Sequence, residues 1–196
     1  MKKIKRLNDK GYTLAEMIIV IAIIAVLSTA AFLTLSVLHT AKVRDAATTF
    51  YAEVNAMYAK SKSQQAYHDA NNDGKMDASE LDKNAVYVLA LYKDGQKLFI
   101  KRGVRDGSGS LSYDDYLGNN NGGKGLNLSP YTTITYKAAG SSTTTDITND
   151  VSSPFIISFD KRGTCTDGVG TYQFKKKDGG TLVTVTINKN GSYQIK

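Results

Sequence analysis

The stretch DKGYTLAEMIIVIAIIAVLSTAAF, residues 9–32, places Glu16 at the start of a long apolar run. Residues 17–38 carry no charged side chain. In a helix these residues reach about 33 Å at roughly 1.5 Å per residue, which is enough to cross the hydrocarbon core of a bilayer. The stretch therefore predicts a membrane-spanning helix near the N-terminus.

Basic residues precede this run. By the positive-inside rule they keep the N-terminus cytoplasmic, so that the chain after about residue 40 lies outside. A secretory signal peptide also begins with positive charge, but its apolar part usually has only about 7 to 15 residues and ends at a small-residue cleavage site. A membrane span is therefore favoured. The basic residues are Lys2, Lys3, Lys5, Arg6 and Lys10.

Charge and composition indicate neither a nucleic-acid partner nor an enzyme. The formal net charge of +7 falls to +3 without residues 1–11, because five of the 25 basic residues and Asp9 lie there. No basic run is interleaved with aromatic residues, so no specific nucleic-acid partner is indicated. The sequence has no GxSxG, HExxH or Walker motif. Its single cysteine, Cys165, is far in sequence from His39 and His68.

Glu16 needs a positive partner, because a carboxylate near the end of a transmembrane helix is costly and indicates a function. No lysine or arginine lies within the span. Cleavage between Gly11 and Tyr12 would create an α-amine at Tyr12, four residues before Glu16. At that spacing the two groups share one face of a helix, and a neighbouring chain could offer its own amine to this carboxylate.

The segment KGYTLAEM, residues 10–17, resembles the class III signal sequence of type IV pilins and pseudopilins. In that family a basic leader ends in glycine, and glutamate is the fifth residue of the mature chain. The resemblance implies that a prepilin peptidase cuts after Gly11 and methylates the new amine of Tyr12. It also implies that Glu16 helps to set the register of each subunit against its neighbour in a filament.

The predicted helix continues beyond the membrane, since no glycine or proline occurs between Gly11 and Gly74. We expect one helix from about Tyr12 to about Ala66. Its transmembrane half covers 12–39, and an amphipathic half at 40–66 packs on a globular head. The apolar stripe of this second half contains Val43, Ala47, Phe50, Val54 and Met57.

The segment DANNDGKMDASE, residues 69–80, has the ligand pattern of a twelve-residue EF-hand loop. Carboxylate, amide and carbonyl oxygens at this spacing suit a hard cation, which predicts one calcium ion bound within residues 67–84. Gly74 supplies the turn at the sixth position. The predicted ligands are Asp69, Asn71, Asp73, the carbonyl of Lys75, Asp77 and Glu80.

Residues 85–196 read as an antiparallel β head, and the fold class is therefore α+β, of the type IV pilin-like kind. Asp94-Gly95 and Asn190-Gly191 predict tight turns between strands. A segment rich in glycine and asparagine at about 103–129 predicts an exposed loop. The order of C-terminal strands weakly resembles the C-terminal sheet of H-type minor pseudopilins.

These features together predict a structural subunit of a type IV pilus-like filament, stored in the membrane before assembly and located at the cell surface afterwards. The implied partners are other pilins in a homo- or hetero-polymer, a prepilin peptidase, and a pilus assembly ATPase with its platform. One alternative is a minor pseudopilin of a secretion or DNA-uptake pseudopilus. Another is an anchored calcium-binding protein that does not polymerise.

Overall fold

A computed structural model describes residues 12–67, 77–80, 83–95, 97–113, 117, 125–147, 154–177 and 179–196. The chain divides into two compact units, Met1–Leu38 and His39–Lys196. The leader at 1–11, including Gly11, lies outside the described residues. The predicted calcium ligands Asp69, Asn71, Asp73 and Lys75 lie outside them as well.

One helix, α1 (Leu14–Ser63), occupies most of the N-terminal third of the chain. It begins two residues later and ends three residues earlier than predicted, so the expected bounds of Tyr12 and Ala66 are corrected. Thr13 caps its first turn, and the amide of Gln64 donates to the carbonyl of Lys60 at its end. Its length and composition are sufficient to cross a membrane.

Within the described residues of the second unit, eleven strands form two antiparallel sheets. The first sheet has the order β3-β2-β1-β7-β8, with β4 also paired to β2, and the second has the order β11-β10-β9-β5-β6. A short 3₁₀ turn, Ala78–Glu80, precedes them. The strands are β1 Val86–Asp94, β2 Lys97–Arg105, β3 Leu111–Ser112, β4 Leu126–Asn127, β5 Thr132–Ala138, β6 Thr144–Asp146, β7 Phe155–Phe159, β8 Cys165–Asp167, β9 Gly170–Lys176, β10 Thr181–Ile187 and β11 Tyr193–Ile195.

The two predicted turns join neighbouring strands. Asp94 pairs with Lys97 across the β1–β2 hairpin, and Gly95 adopts a φ of 60°, which a glycine reaches without steric cost. Gly191 has a φ of 76° in the turn between β10 and β11. The α+β fold with a long N-terminal helix and an antiparallel head is therefore confirmed.

The core of the second unit joins one face of α1 to both sheets. The predicted helix stripe is buried, and its members Val43, Phe50, Val54 and Met57 are fully inaccessible to solvent. The ring of Phe50 lies 5.0 Å from that of Tyr172 and 5.3 Å from that of Phe174, both on β9 of the second sheet. The ring centre of Tyr58 lies 6.2 Å from that of Phe159, on β7 of the first sheet. The helix is thus the element against which both sheets bury their apolar faces.

The prediction of an exposed loop at 103–129 is corrected only in part, since the described residues 107–111 are exposed whereas others in the segment join the sheet or the core. Strand β2 continues to Arg105, and β3 and β4 pair with it. Leu117 and Leu128 are 1% and 3% exposed and belong to the core. These leucines, scattered among glycines and asparagines, supply the apolar area that holds the segment against the sheet.

A buried ion pair links α1 to the first sheet. Arg102 Nε lies 2.6 Å from Glu53 Oε2, and Arg102 Nη2 donates to Glu53 Oε1 at 2.9 Å. Arg102 Nη1 also donates to the carbonyl of Leu117 at 3.1 Å. The Glu53 side chain is 8% exposed, so its charge has little access to water and depends on this bidentate partner.

We predict that Arg102→Met lowers the free energy of unfolding of the head by about 2–4 kcal/mol, because it leaves the Glu53 carboxylate buried without its partner. Urea unfolding of the full chain in a non-ionic detergent, followed by tyrosine fluorescence, measures this loss. Arg105→Met is the matched control. Its partner Asp167 is 43% exposed, and the expected loss is below about 1 kcal/mol. Equal losses in the two variants would contradict the interpretation.

Candidate processing and assembly site

Thr13 and Glu16 form a capping box at the start of α1. The amide of Glu16 donates to Thr13 Oγ1 at 3.2 Å, and the amide of Thr13 donates to Glu16 Oε2 at 2.8 Å. The Thr13 hydroxyl adds a third bond to the same carboxylate oxygen at 2.9 Å. Two backbone donors that a helix start leaves without intrahelical partners are thereby satisfied.

This capping role is the functional feature that the sequence reasoning missed. The signal was present, because Thr13-Leu14-Ala15-Glu16 has the threonine-x-x-glutamate spacing of a capping box. The structure also corrects the expectation that Tyr12 and Glu16 share a helix face, since Tyr12 precedes the cap and is not helical. The Glu16 carboxylate is nevertheless held beside the Thr13 amide, one residue from the predicted new terminus.

The apolar part of α1 is exposed along the residues that the structure describes. Every described side chain from residue 12 to residue 38 is exposed, including Ile21 at 64% and Phe32 at 76%. Two hydroxyl groups in this part bond to its own backbone, Ser28 to the carbonyl of Ile24 and Thr29 to the carbonyl of Ala25. A surface of this kind, with its hydroxyls internally satisfied, fits the membrane anchor of a precursor.

Two of the predicted calcium ligands, Asp77 and Glu80, lie in the described residues. Asp77 stands immediately before the 3₁₀ turn, and its amide donates to Glu80 Oε2 at 3.2 Å. The amide of Glu80 donates to the carbonyl of Asp77 at 3.0 Å. The turn therefore brings the carboxylate of Glu80 back to its own start. Across the described residues, no cluster of three or more potential ligand side chains is present.

Cys165 is a buried thiol on β8, with 1% of its surface exposed. Its sulfur donates to the carbonyl of Asp167 at 3.1 Å. Burial, with a smaller contribution from the charge of Asp167, raises the pKa of Cys165 to about 12. The side chain is therefore a protonated thiol at neutral pH, which is a packing role rather than a nucleophilic one.

We predict that Thr13→Val speeds hydrogen exchange at the Glu16 amide about fivefold, because the loss of a capping hydroxyl costs about 1 kcal/mol of local stability. NMR exchange of the full chain in detergent measures the rate. Thr13→Ser is the control, since serine keeps the acceptor and should keep the slow rate. Equal rates in the valine and serine variants would show that the cap does not protect this amide.

Residues 6–32 match the family described as the prokaryotic N-terminal methylation motif, which covers the end of the basic flank, the capping box and the first part of the apolar run. No curated protein and no solved structure matches the chain. The match covers 27 of the 196 residues, and with the long N-terminal helix it supports a class III signal peptide of the kind that prepilin peptidase processes in type IV pilins and pseudopilins.

Proposed function

We propose that the processed chain is a structural subunit of a type IV pilus-like filament and polymerises through the N-terminal half of α1. One observation carries the proposal. The side chains described between residues 12 and 38 are all exposed, whereas the second unit contains its own buried core. The apolar half-helix therefore needs either lipid or other protein around it.

Lipid can cover the apolar half-helix of the precursor, but it cannot cover that helix in a filament that has left the membrane. Lipid tails are as apolar as leucine, so moving the helix from the bilayer into a bundle gains mainly packing and polar contacts. Outside the membrane the alternative is water. Each large apolar side chain then contributes about 1.5–3 kcal/mol by being covered, which makes dissociation of the helices into water very costly.

In this proposal Glu16 determines the axial position of each subunit relative to its neighbour. Cleavage after Gly11 would remove five basic side chains and leave one new cation, the α-amine of Tyr12. The capping box holds the Glu16 carboxylate through Oε2, and the hydrogen bonds among the described residues do not use Oε1. An amine of a neighbouring subunit that reaches this carboxylate fixes the axial position of one helix against the next.

We predict that Glu16→Gln inserts into the membrane and is cleaved normally but yields few or no filaments. Glutamine retains the acceptor that the capping box needs and loses only the charge, so the variant separates pairing from capping. Intact mass should show the loss of eleven residues and the gain of one methyl group, and electron microscopy of sheared cells counts filaments. Filaments of wild-type abundance would rule out the charge pairing.

We further propose that residues 69–80 bind one calcium ion, with Asp69, Asn71, Asp73, the carbonyl of Lys75, Asp77 and Glu80 as ligands. The support is the complete ligand spacing and the hydrogen bond that holds the Glu80 carboxylate at the amide of Asp77, which keeps two of the proposed ligand residues close together. The loop stands between the end of α1 at Ser63 and the start of β1 at Val86. A bound cation would fix that connection and neutralise its carboxylates.

We predict a calcium dissociation constant of roughly 0.1–1 mM for the full chain in detergent, the range of extracellular modules. Calorimetry measures it, and Asp69→Ala and Glu80→Ala should each weaken binding at least tenfold. Asp45→Ala, which removes a carboxylate from α1 outside the loop, is the control and should leave the affinity unchanged. The site would be disproved by an absence of binding at millimolar calcium.

A further inference from the structure

A cleft of about 190 Å³ opens beside the C-terminal end of α1. Three lysines from three different segments line it: Lys62 in the last turn of α1, Lys83 in the turn before β1, and Lys161 in the turn after β7. The remaining lining consists of the serines and glutamines of residues 61–65. Among the described residues, the lining therefore contains three cations, hydroxyl groups and side-chain amides, and no carboxylate.

The charges of this cleft are not neutralised within the described part of the chain. No described carboxylate lies within ion-pair distance of Lys62, Lys83 or Lys161. Lys62 contacts Tyr58 instead, with Nζ 3.4 Å from the phenol oxygen and 5.2 Å from the ring centre. Three like charges that converge without counter-charge raise the local affinity for an anion.

We propose that this cleft binds one phosphate group. Lysine ammonium groups are compact charges that suit a tetrahedral oxyanion, whereas planar carboxylates are held best by the fork of an arginine, which the cleft lacks. The side-chain amides of Gln64 and Gln65 can donate to the remaining phosphate oxygens, whereas the hydroxyls of Ser61 and Ser63 already donate to carbonyls of α1. The volume lies below the roughly 300 Å³ at which sites for drug-sized ligands begin, so it takes a single group rather than a whole nucleotide.

We predict that inorganic phosphate, titrated into the full chain in a non-ionic detergent and a metal-free buffer, shifts the amide resonances of residues 61–65, Lys83 and Lys161. Lys83→Gln and Lys161→Gln should each weaken binding about two- to fivefold, and the double variant about tenfold, because each removes one partly screened charge contact. Both side chains are exposed, so both variants should fold normally.

Lys175→Gln on β9 is the matched control, because it makes the same change of charge outside the cleft and should leave the affinity unchanged. Glycerophosphoglycerol provides a second probe. Equal affinity for this diester points to the phosphodiester of a polymer or lipid, whereas preference for inorganic phosphate points to free phosphate. The proposal is overturned if no resonance of the cleft shifts at 20 mM phosphate (roughly a hundredfold excess over protein) or if Lys175→Gln weakens binding as much as the cleft variants do.

Discussion

The structure depends on one constraint, which is that the two halves of a single unbroken helix need different surroundings. Between Leu14 and Leu38 the described side chains are exposed and almost wholly apolar. From Val43 to Met57 the same helix presents a narrow apolar stripe that two sheets cover. The first half therefore has no stable position in water without lipid or other subunits, whereas the second half obtains its surroundings from the chain itself.

Two carboxylates on α1 illustrate these different solutions. Glu53 is buried in the head, and its charge is balanced within the chain by the bidentate contact with Arg102. Glu16 is exposed, and the contacts that hold it are neutral donors of Thr13. Hydrogen bonds to a carboxylate fix its position, but they do not cancel its charge when water is removed. The proposed pairing of Glu16 with the amine of a neighbouring chain would supply the missing counter-charge.

Sequence patterns predicted the features that arise from neighbouring residues and missed those that arise from distant ones. The buried stripe of α1 and the turn at Gly95 follow from local spacing and backbone preference, and the structure has both. The capping box also follows from the spacing of neighbouring residues, but the sequence interpretation assigned Glu16 only to an amine. The division into two sheets follows from the pairing of β1 with β7 and of β5 with β9, which no local pattern specifies. The burial of Leu117, inside the segment that was expected to be an exposed loop, likewise arises from contacts with the core that no local pattern specifies.

The C-terminal end of α1 is packed against two turns as well as against the sheets. A Cβ atom at Gly163 would lie 2.7 Å from the ring of Tyr58, and one at Gly191 would lie 2.5 Å from it. Both glycines have positive φ angles, so the turns after β7 and after β10 approach the helix as closely as backbone allows. The packed stripe, the ion pair at Glu53 and these two turns together hold the part of α1 after residue 38 against the sheets of the second unit.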